Sequence, residues 1–222
     1  MDGFGKIAYG LRSTRYDPSF VVSWTQLCAS GTRVGDLVLH PAIRLPHHMA
    51  CNFLMVQFLE SDCDSLLFVD DDHDIPIDSI EKLRGTPGNY DVVSALTVTR
   101  REPFMPIVIR LKDGKPSWVS DPDGVVAVDV VGLAFTLIKR DICEEIVAAK
   151  GTREIFRMTE VCEDGEFCKN VRENGGTLAV NCDVNIGHTV DTVLRWNAQA
   201  GKTEITFPRF GVERRRRESW QS

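Results

Sequence analysis

Residues 66–74, Leu-Leu-Phe-Val-Asp-Asp-Asp-His-Asp, set four carboxylates at the end of a short apolar run. Asp70, Asp71, Asp72 and Asp74 repel one another unless a cation neutralises them. Hard oxygen ligands at such a tip suit Mg²⁺, Mn²⁺ or Ca²⁺. In an extended chain a period of two puts Asp70 and Asp72 on one side, where they can share one ion. Ligands of open α/β sheets sit just beyond the carboxyl ends of the strands. The block therefore predicts a divalent metal site placed to hold phosphate.

Three other readings compete. A calcium loop would use Asp70, Asp72, Asp74 and Glu81, but Ile75 stands where that loop needs Gly and a strand precedes it. An aspartyl phosphotransferase or phosphatase would use Asp70 as nucleophile, yet its companion Lys and second acidic pair are not evident. A solvated acidic turn without function leaves four carboxylates at a buried strand end without a counter-ion.

Two further positions carry chemistry. Val161, Asp164, Cys168, Val171 and Gly175 recur at helical spacing. This puts Asp164 on the buried face of a first helical turn, where a carboxylate's pKa can be tuned for base work. Glu163 and Glu166 complement the helix N-terminus. Leu178, Val180, Cys182, Val184, Ile186 and His188 share one strand parity, so His188 continues a buried face. There it is either a hydrogen-bonded core residue or a ligand. His47, His48 and His73 carry weaker signals.

The elements that must position these residues alternate between strand and helix. Strands are predicted over 6–10, 34–40, 66–69, 91–98, 125–131, 133–138 and 177–186. Helices are predicted from 17 to about 29, over 48–59, 76–83, 141–149 and 161–174, the last ending at Gly175-Gly176. A hairpin is expected at 107–118, between proline-bearing loops. The pattern predicts an α/β fold with a mostly parallel central sheet flanked by helices and a small antiparallel element.

The 222 residues are 43% hydrophobic and 26% charged, with a net charge of −6. That fits one compact domain or one domain with a tail and argues weakly against generic nucleic-acid binding. Residues 209–218 depart from it, with five Arg against two Glu, or +3. No apolar run approaches the roughly 20 residues that span a bilayer, and the first residues do not read as a signal peptide. Seven Cys without a CxxC read as reduced thiols of a cytoplasmic protein, bacterial or in a phage-infected cell.

In order along the chain, these elements resemble the nucleotide-sugar glycosyltransferases of the GT-A (Rossmann-like) fold, especially small family-2-like enzymes of bacteria and phages. The resemblance covers about residues 5–190. It rests on Leu-Leu-Phe-Val-Asp-Asp-Asp with a D-x-D at 70–72, Val-Val-Gly-Leu-Ala-Phe-Thr-Leu-Ile-Lys-Arg at 130–140, Glu-Asp-Gly-Glu-Phe-Cys at 163–168 and Gly-His at 187–188. The Arg100-Arg101-Glu102-Pro103 turn also resembles theirs.

The resemblance implies a catalytic domain over 1–190, then a C-terminal helix and basic tail over 191–222. It implies that Asp72 and His188 bind Mn²⁺ or Mg²⁺, with Asp70 reaching the metal through water or contacting the donor ribose. The imidazole favours Mn²⁺. The donor would be a nucleotide diphosphate sugar, a UDP-sugar favoured. Ala8, Tyr9 and Gly10 would lie by the base, and Asn52, Asp71 and Arg101 along the rest of the donor. Asp164 would take the proton from an acceptor hydroxyl in an inverting single displacement; some retaining relatives share the fold. Gly132, Glu163 and Trp118 are acceptor-side candidates. One departure stands out: relatives often carry Arg-Asn where this chain has Cys51-Asn52, so phosphate contacts are expected from Arg44, Arg100 or Arg101.

Some phage relatives glycosylate hydroxymethylated pyrimidines in DNA. The tail, with Arg214, Arg215, Arg216 and Arg217 beside Phe210, suits contact with a phosphate backbone, and is equally well read as a solvated tail. A flipped base needs a pocket, for which Trp118, Phe104 and Trp196 are candidates. A soluble glycan or protein is the alternative acceptor. From another class, a nucleotide-binding module without catalysis is the alternative, which an intact Asp164 speaks against. No membrane partner is expected.

Overall fold

The computed structural model describes residues 3–14, 18–100, 102–159, 162–189 and 193–206. An eight-stranded sheet runs through it. Its strands are β1 (Ile7–Ser13), β2 (Leu37–Val38), β3 (Ala42–Ile43), β4 (Ser65–Asp70), β6 (Val92–Leu96), β9 (Val125–Val128), β10 (Phe135–Lys139) and β11 (Leu178–Asn185). The order is β2-β1-β4-β10-β6-β11-β9, with β3 also paired to β1. β1 pairs in parallel with β2, β3 and β4, and β6 with β11, while β10 and β9 run antiparallel to their neighbours. The fold is thus mixed α/β with a mostly parallel central sheet, as expected.

Helices cover both faces, and β4 shows why. Leu66 and Phe68 belong to a core that holds α2 (His47–Glu60), α4 (Arg140–Lys150) and α5 (Glu163–Glu173). Leu67 and Val69 belong to the opposite core, with α1 (Pro18–Gly31) and α3 (Ser79–Arg84). Successive side chains point to opposite faces, so a strand covered on both sides reads as a continuous apolar run. α4 ends where Gly151 adopts a left-handed φ of 67°, a conformation that costs glycine little.

Two smaller antiparallel sheets complete the structure. β7 (Ile109–Lys112) and β8 (Lys115–Trp118) form the expected hairpin. The other sheet, in the order β14-β13-β12-β5, joins β5 (His73–Asp74), β12 (Gly187–Thr189), β13 (Val193–Asn197) and β14 (Lys202–Thr206). For 193–206 it corrects the expectation of a C-terminal helix and basic tail over 191–222. Its described part, 193–206, is a hairpin in which Arg195 pairs with Glu204 and Trp196 with Thr203, closed at Gly201 with φ 57°. β-branched and aromatic residues in short runs around a turn favour strand over helix. The basic tail lies outside the described residues. Among the described residues, no helix is long and apolar enough to cross a membrane.

Candidate metal and donor site

β4 delivers the acidic block to the sheet edge, where the chain turns sharply at Asp71 and Asp72. That turn breaks the period of two, so the carboxylates separate instead of sharing one ion. Asp70 Oδ1 pairs with Arg12 Nε at 2.8 Å; both side chains are largely buried. Arg12 and Asp70 are register partners on the parallel strands β1 and β4. The other guanidinium nitrogens donate to Cys51 Sγ and the Leu133 carbonyl, each at 2.8 Å. Burial works against the Arg12 charge, but Asp70, Cys51 and Asp164 outweigh it and hold its pKa above the usual value.

Asp71 was expected on the donor. It borders the cleft described below but is largely buried, and its Oδ2 accepts from Ser13 Oγ at 2.7 Å and Thr14 N at 2.9 Å. It fastens the chain leaving β1, as short acidic side chains do at turns.

Asp72 is the carboxylate that meets His188. Asp72 Oδ2 lies 3.6 Å from His188 Nε2, and Thr189 N donates to the Asp72 carbonyl at 2.7 Å. The residues come together because β12 does not continue β11. It crosses to the small sheet and pairs antiparallel with β5, setting His188 opposite His73. Their rings stack with centroids 4.4 Å apart. His188 Nδ1 lies 2.8 Å from the Val98 carbonyl. A carbonyl only accepts, so Nδ1 carries the proton and Nε2 is the acceptor, taking a hydrogen bond from Arg100 Nε beside Asp72. Burial, then the neighbouring His73, pushes the His188 pKa down to about 3, and burial takes that of His73 down to about 4. Both rings are neutral at pH 7, the state in which imidazole binds metal. Arg100 reaches the same point, its guanidinium meeting both Asp72 Oδ2 and His188 Nε2.

A cleft of about 190 Å³ opens beside this cluster. The tip of β1 (Arg12, Ser13, Thr14), the start of α2 (His47, Ala50), the acidic turn and Arg100 bound it. Asp164 stands in the first turn of α5. Its Oδ2 accepts from Leu133 N at 3.2 Å, and a Cβ built on Gly132 would lie 4.0 Å from that oxygen. Burial raises the Asp164 pKa to about 6; Arg12 opposes the rise and Glu163 adds to it. Glu163 Oε1 in turn lies 3.6 Å from His47 Nδ1.

Several expected donor contacts fall elsewhere. Ala8 and Tyr9 are fully buried in mid-strand, and a Cβ on Gly10 would meet Leu54 and Leu66 at 3.2 Å. β1 runs on to Ser13, so its accessible tip is Arg12 to Thr14. Asn52 donates to the Phe156 carbonyl at 2.9 Å and accepts from Phe156 N at 3.0 Å, which uses both ends of its amide on the backbone. Arg101 lies outside the described residues. The aromatic candidates differ in exposure: Trp196 is buried in the core that Phe104 packs against, and Trp118 is exposed on the hairpin.

Sequence reasoning missed Arg12 and underrated His73. Reading the first strand three residues further would have set Arg12 against Asp70. His73 gave only its place within the acidic block.

No family model and no curated protein matches the chain. Among solved structures it is similar to the crystal structure of A197 from STIV. The TM-score is 0.68 and the identity 19%, over 96% of this chain and 100% of that one. At this identity the likeness shows the fold alone.

Proposed function

We propose that this protein is a metal-dependent glycosyltransferase that moves a sugar from a nucleotide diphosphate sugar, a UDP-sugar favoured, to an acceptor hydroxyl. One observation carries the reading. Asp72 and His188, paired on the resemblance and 116 positions apart in the sequence, meet at 3.6 Å beside a cleft lined by Arg12 and Arg100. The donor set fits a divalent ion: a carboxylate oxygen and an imidazole nitrogen whose lone pair is directed by the Val98 carbonyl. Such an ion, when bound, would neutralise charge on the leaving diphosphate.

The residues divide the remaining work. Arg100, half exposed at the cleft, offers a planar cation to phosphate oxygens. Arg12 fixes Asp70 and presents buried positive charge to the same cleft. Asp164 accepts the acceptor's hydroxyl proton. The acceptor oxygen bonds to the anomeric carbon as that carbon's bond to the β-phosphate oxygen breaks, and a single displacement inverts the centre. A phosphotransferase reading is less favoured, because its nucleophile Asp70 is held by Arg12.

The acceptor we favour is a hydroxymethylated pyrimidine in DNA, drawn by the Arg214–Arg217 run. The test is thermal stability against nucleotides and UDP-sugars, with Mn²⁺ and with chelator, followed by UDP release in the presence of hydroxymethylated DNA. A Mn²⁺-dependent rise in Tm with UDP supports the donor assignment. Its absence with every nucleotide overturns it.

A further inference from the structure

We propose that His73 is a third protein ligand, making the centre a one-carboxylate, two-imidazole site for a first-row transition ion such as Mn²⁺, Fe²⁺, Co²⁺ or Zn²⁺, to the exclusion of Mg²⁺ and Ca²⁺. The inference rests on the metal site of the preceding reading and goes beyond it in ligand set and metal class.

The His73 side chain is only 2% exposed, and its Nδ1 lies 2.8 Å from Asp72 Oδ1. The contact falls outside hydrogen-bond geometry, and neither atom has a hydrogen bond elsewhere. Buried polar atoms without partners are rare enough to need a cause. The other ring nitrogen, Nε2, lies 3.3 Å from Thr97 Oγ1. When Nε2–H donates to that hydroxyl, Nδ1 keeps a lone pair, and the carboxylate oxygen lies beside its axis, off the line of a hydrogen bond. Two acceptors set side by side in this way are placed as adjacent ligands of one cation.

The spacing agrees. Ligand atoms at about 2.1 Å from one ion lie about 3 Å apart when adjacent. The observed separations are 2.8 Å for His73–Asp72 and 3.6 Å for Asp72–His188, and one ligand atom from each of the three residues lies within 4.8 Å of the others. The frame is rigid: His73 and His188 are cross-strand partners with stacked rings. Asp70 does not join, being paired with Arg12.

Two imidazoles against one carboxylate set the metal class. Imidazole suits the later first-row ions, whereas Mg²⁺ and Ca²⁺ want oxygen ligands and Mg²⁺ keeps most of its water. A site with one protein carboxylate gives those ions little to replace their hydration.

The experiment uses the full chain, stripped with chelator and loaded with Mn²⁺ alone, without nucleotide. Electron spin-echo modulation counts the nitrogens bound to the ion, and two imidazoles are expected in the unaltered protein. A one-nitrogen signal overturns this assignment and leaves the metal reading standing; no bound Mn²⁺ overturns both. His73→Gln should reduce the signal to one nitrogen and weaken Mn²⁺ binding at least roughly tenfold. Unchanged affinity in that variant, or ready displacement of Mn²⁺ by a modest excess of Mg²⁺, overturns the assignment. The nitrogen count needs no variant, so it stands even if His73→Gln fails to fold.

Discussion

Arg12 Nε and Asp70 Oδ1 lie 2.8 Å apart at the tips of adjacent parallel strands, with side chains only 5% and 14% exposed. The pair closes because strand register sets the residues side by side. Removing one partner of a buried pair leaves an uncompensated charge, which costs about 3–5 kcal/mol. Arg12→Met should therefore lower unfolding free energy by about 3 kcal/mol in urea denaturation. Asp70→Asn alone should destabilise too. The double variant should regain part of the loss, with a coupling of at least about 1 kcal/mol. Strictly additive losses would show that the two charges do not support each other.

Asp164 ties activity to pH in one direction and stability in the other. Its pKa stands at about 6 against an ordinary 3.8, chiefly through burial. As a base it works when ionised, so kcat/KM should rise with pH through about 6 and then level. For stability the sign reverses. A carboxyl whose folded pKa is raised holds its proton better folded than unfolded, so its contribution is present at low pH. That contribution is lost as pH rises from about 4 through about 6. Asp164→Asn should abolish transfer, keep UDP binding and raise stability at pH 7.5 by about 1–3 kcal/mol. An Asn variant that is less stable than the parent at pH 7.5, or that transfers at the normal rate, would refute the assignment.

The fold was legible where one face or one run dominates. Leu66–Val69 is apolar throughout because helices cover both sides of β4, and helical spacing picked out Cys168 and Val171 on the stripe that α5 buries. What the sequence hid was set by turns and register. The break at Asp71 and Asp72 sends neighbouring carboxylates to different partners, Ser13 and His188. The crossing of β12 to the small sheet puts His188 on His73, which strand parity cannot show. Arg12 was concealed because a charged residue at the end of an apolar strand reads as solvent-facing until its partner's register is known.

Asn52 separates a structural role from a binding one. Its amide makes two hydrogen bonds to the backbone of Phe156, a residue 1% exposed. Asn52→Ala leaves a buried N–H and a buried C=O without partners, at about 1–3 kcal/mol. The urea midpoint should fall accordingly, while KM for the donor in the surviving folded protein stays unchanged. A rise in KM without loss of stability would return Asn52 to the donor site.

Arg100 occupies the point where Asp72 and His188 converge, so it and a divalent ion compete for the same ligands. With an ion bound, the guanidinium loses those partners, and phosphate oxygens in the adjoining cleft are the next acceptors within reach. Arg100→Gln should therefore act with opposite signs on two ligands. Mn²⁺ alone should bind roughly tenfold tighter, because a competing cation is gone, and UDP in the presence of saturating Mn²⁺ roughly tenfold weaker. Isothermal titration of each ligand separates the effects. If both affinities fall, Arg100 supports the metal site instead of competing for it. If neither moves, the side chain has no part in donor binding.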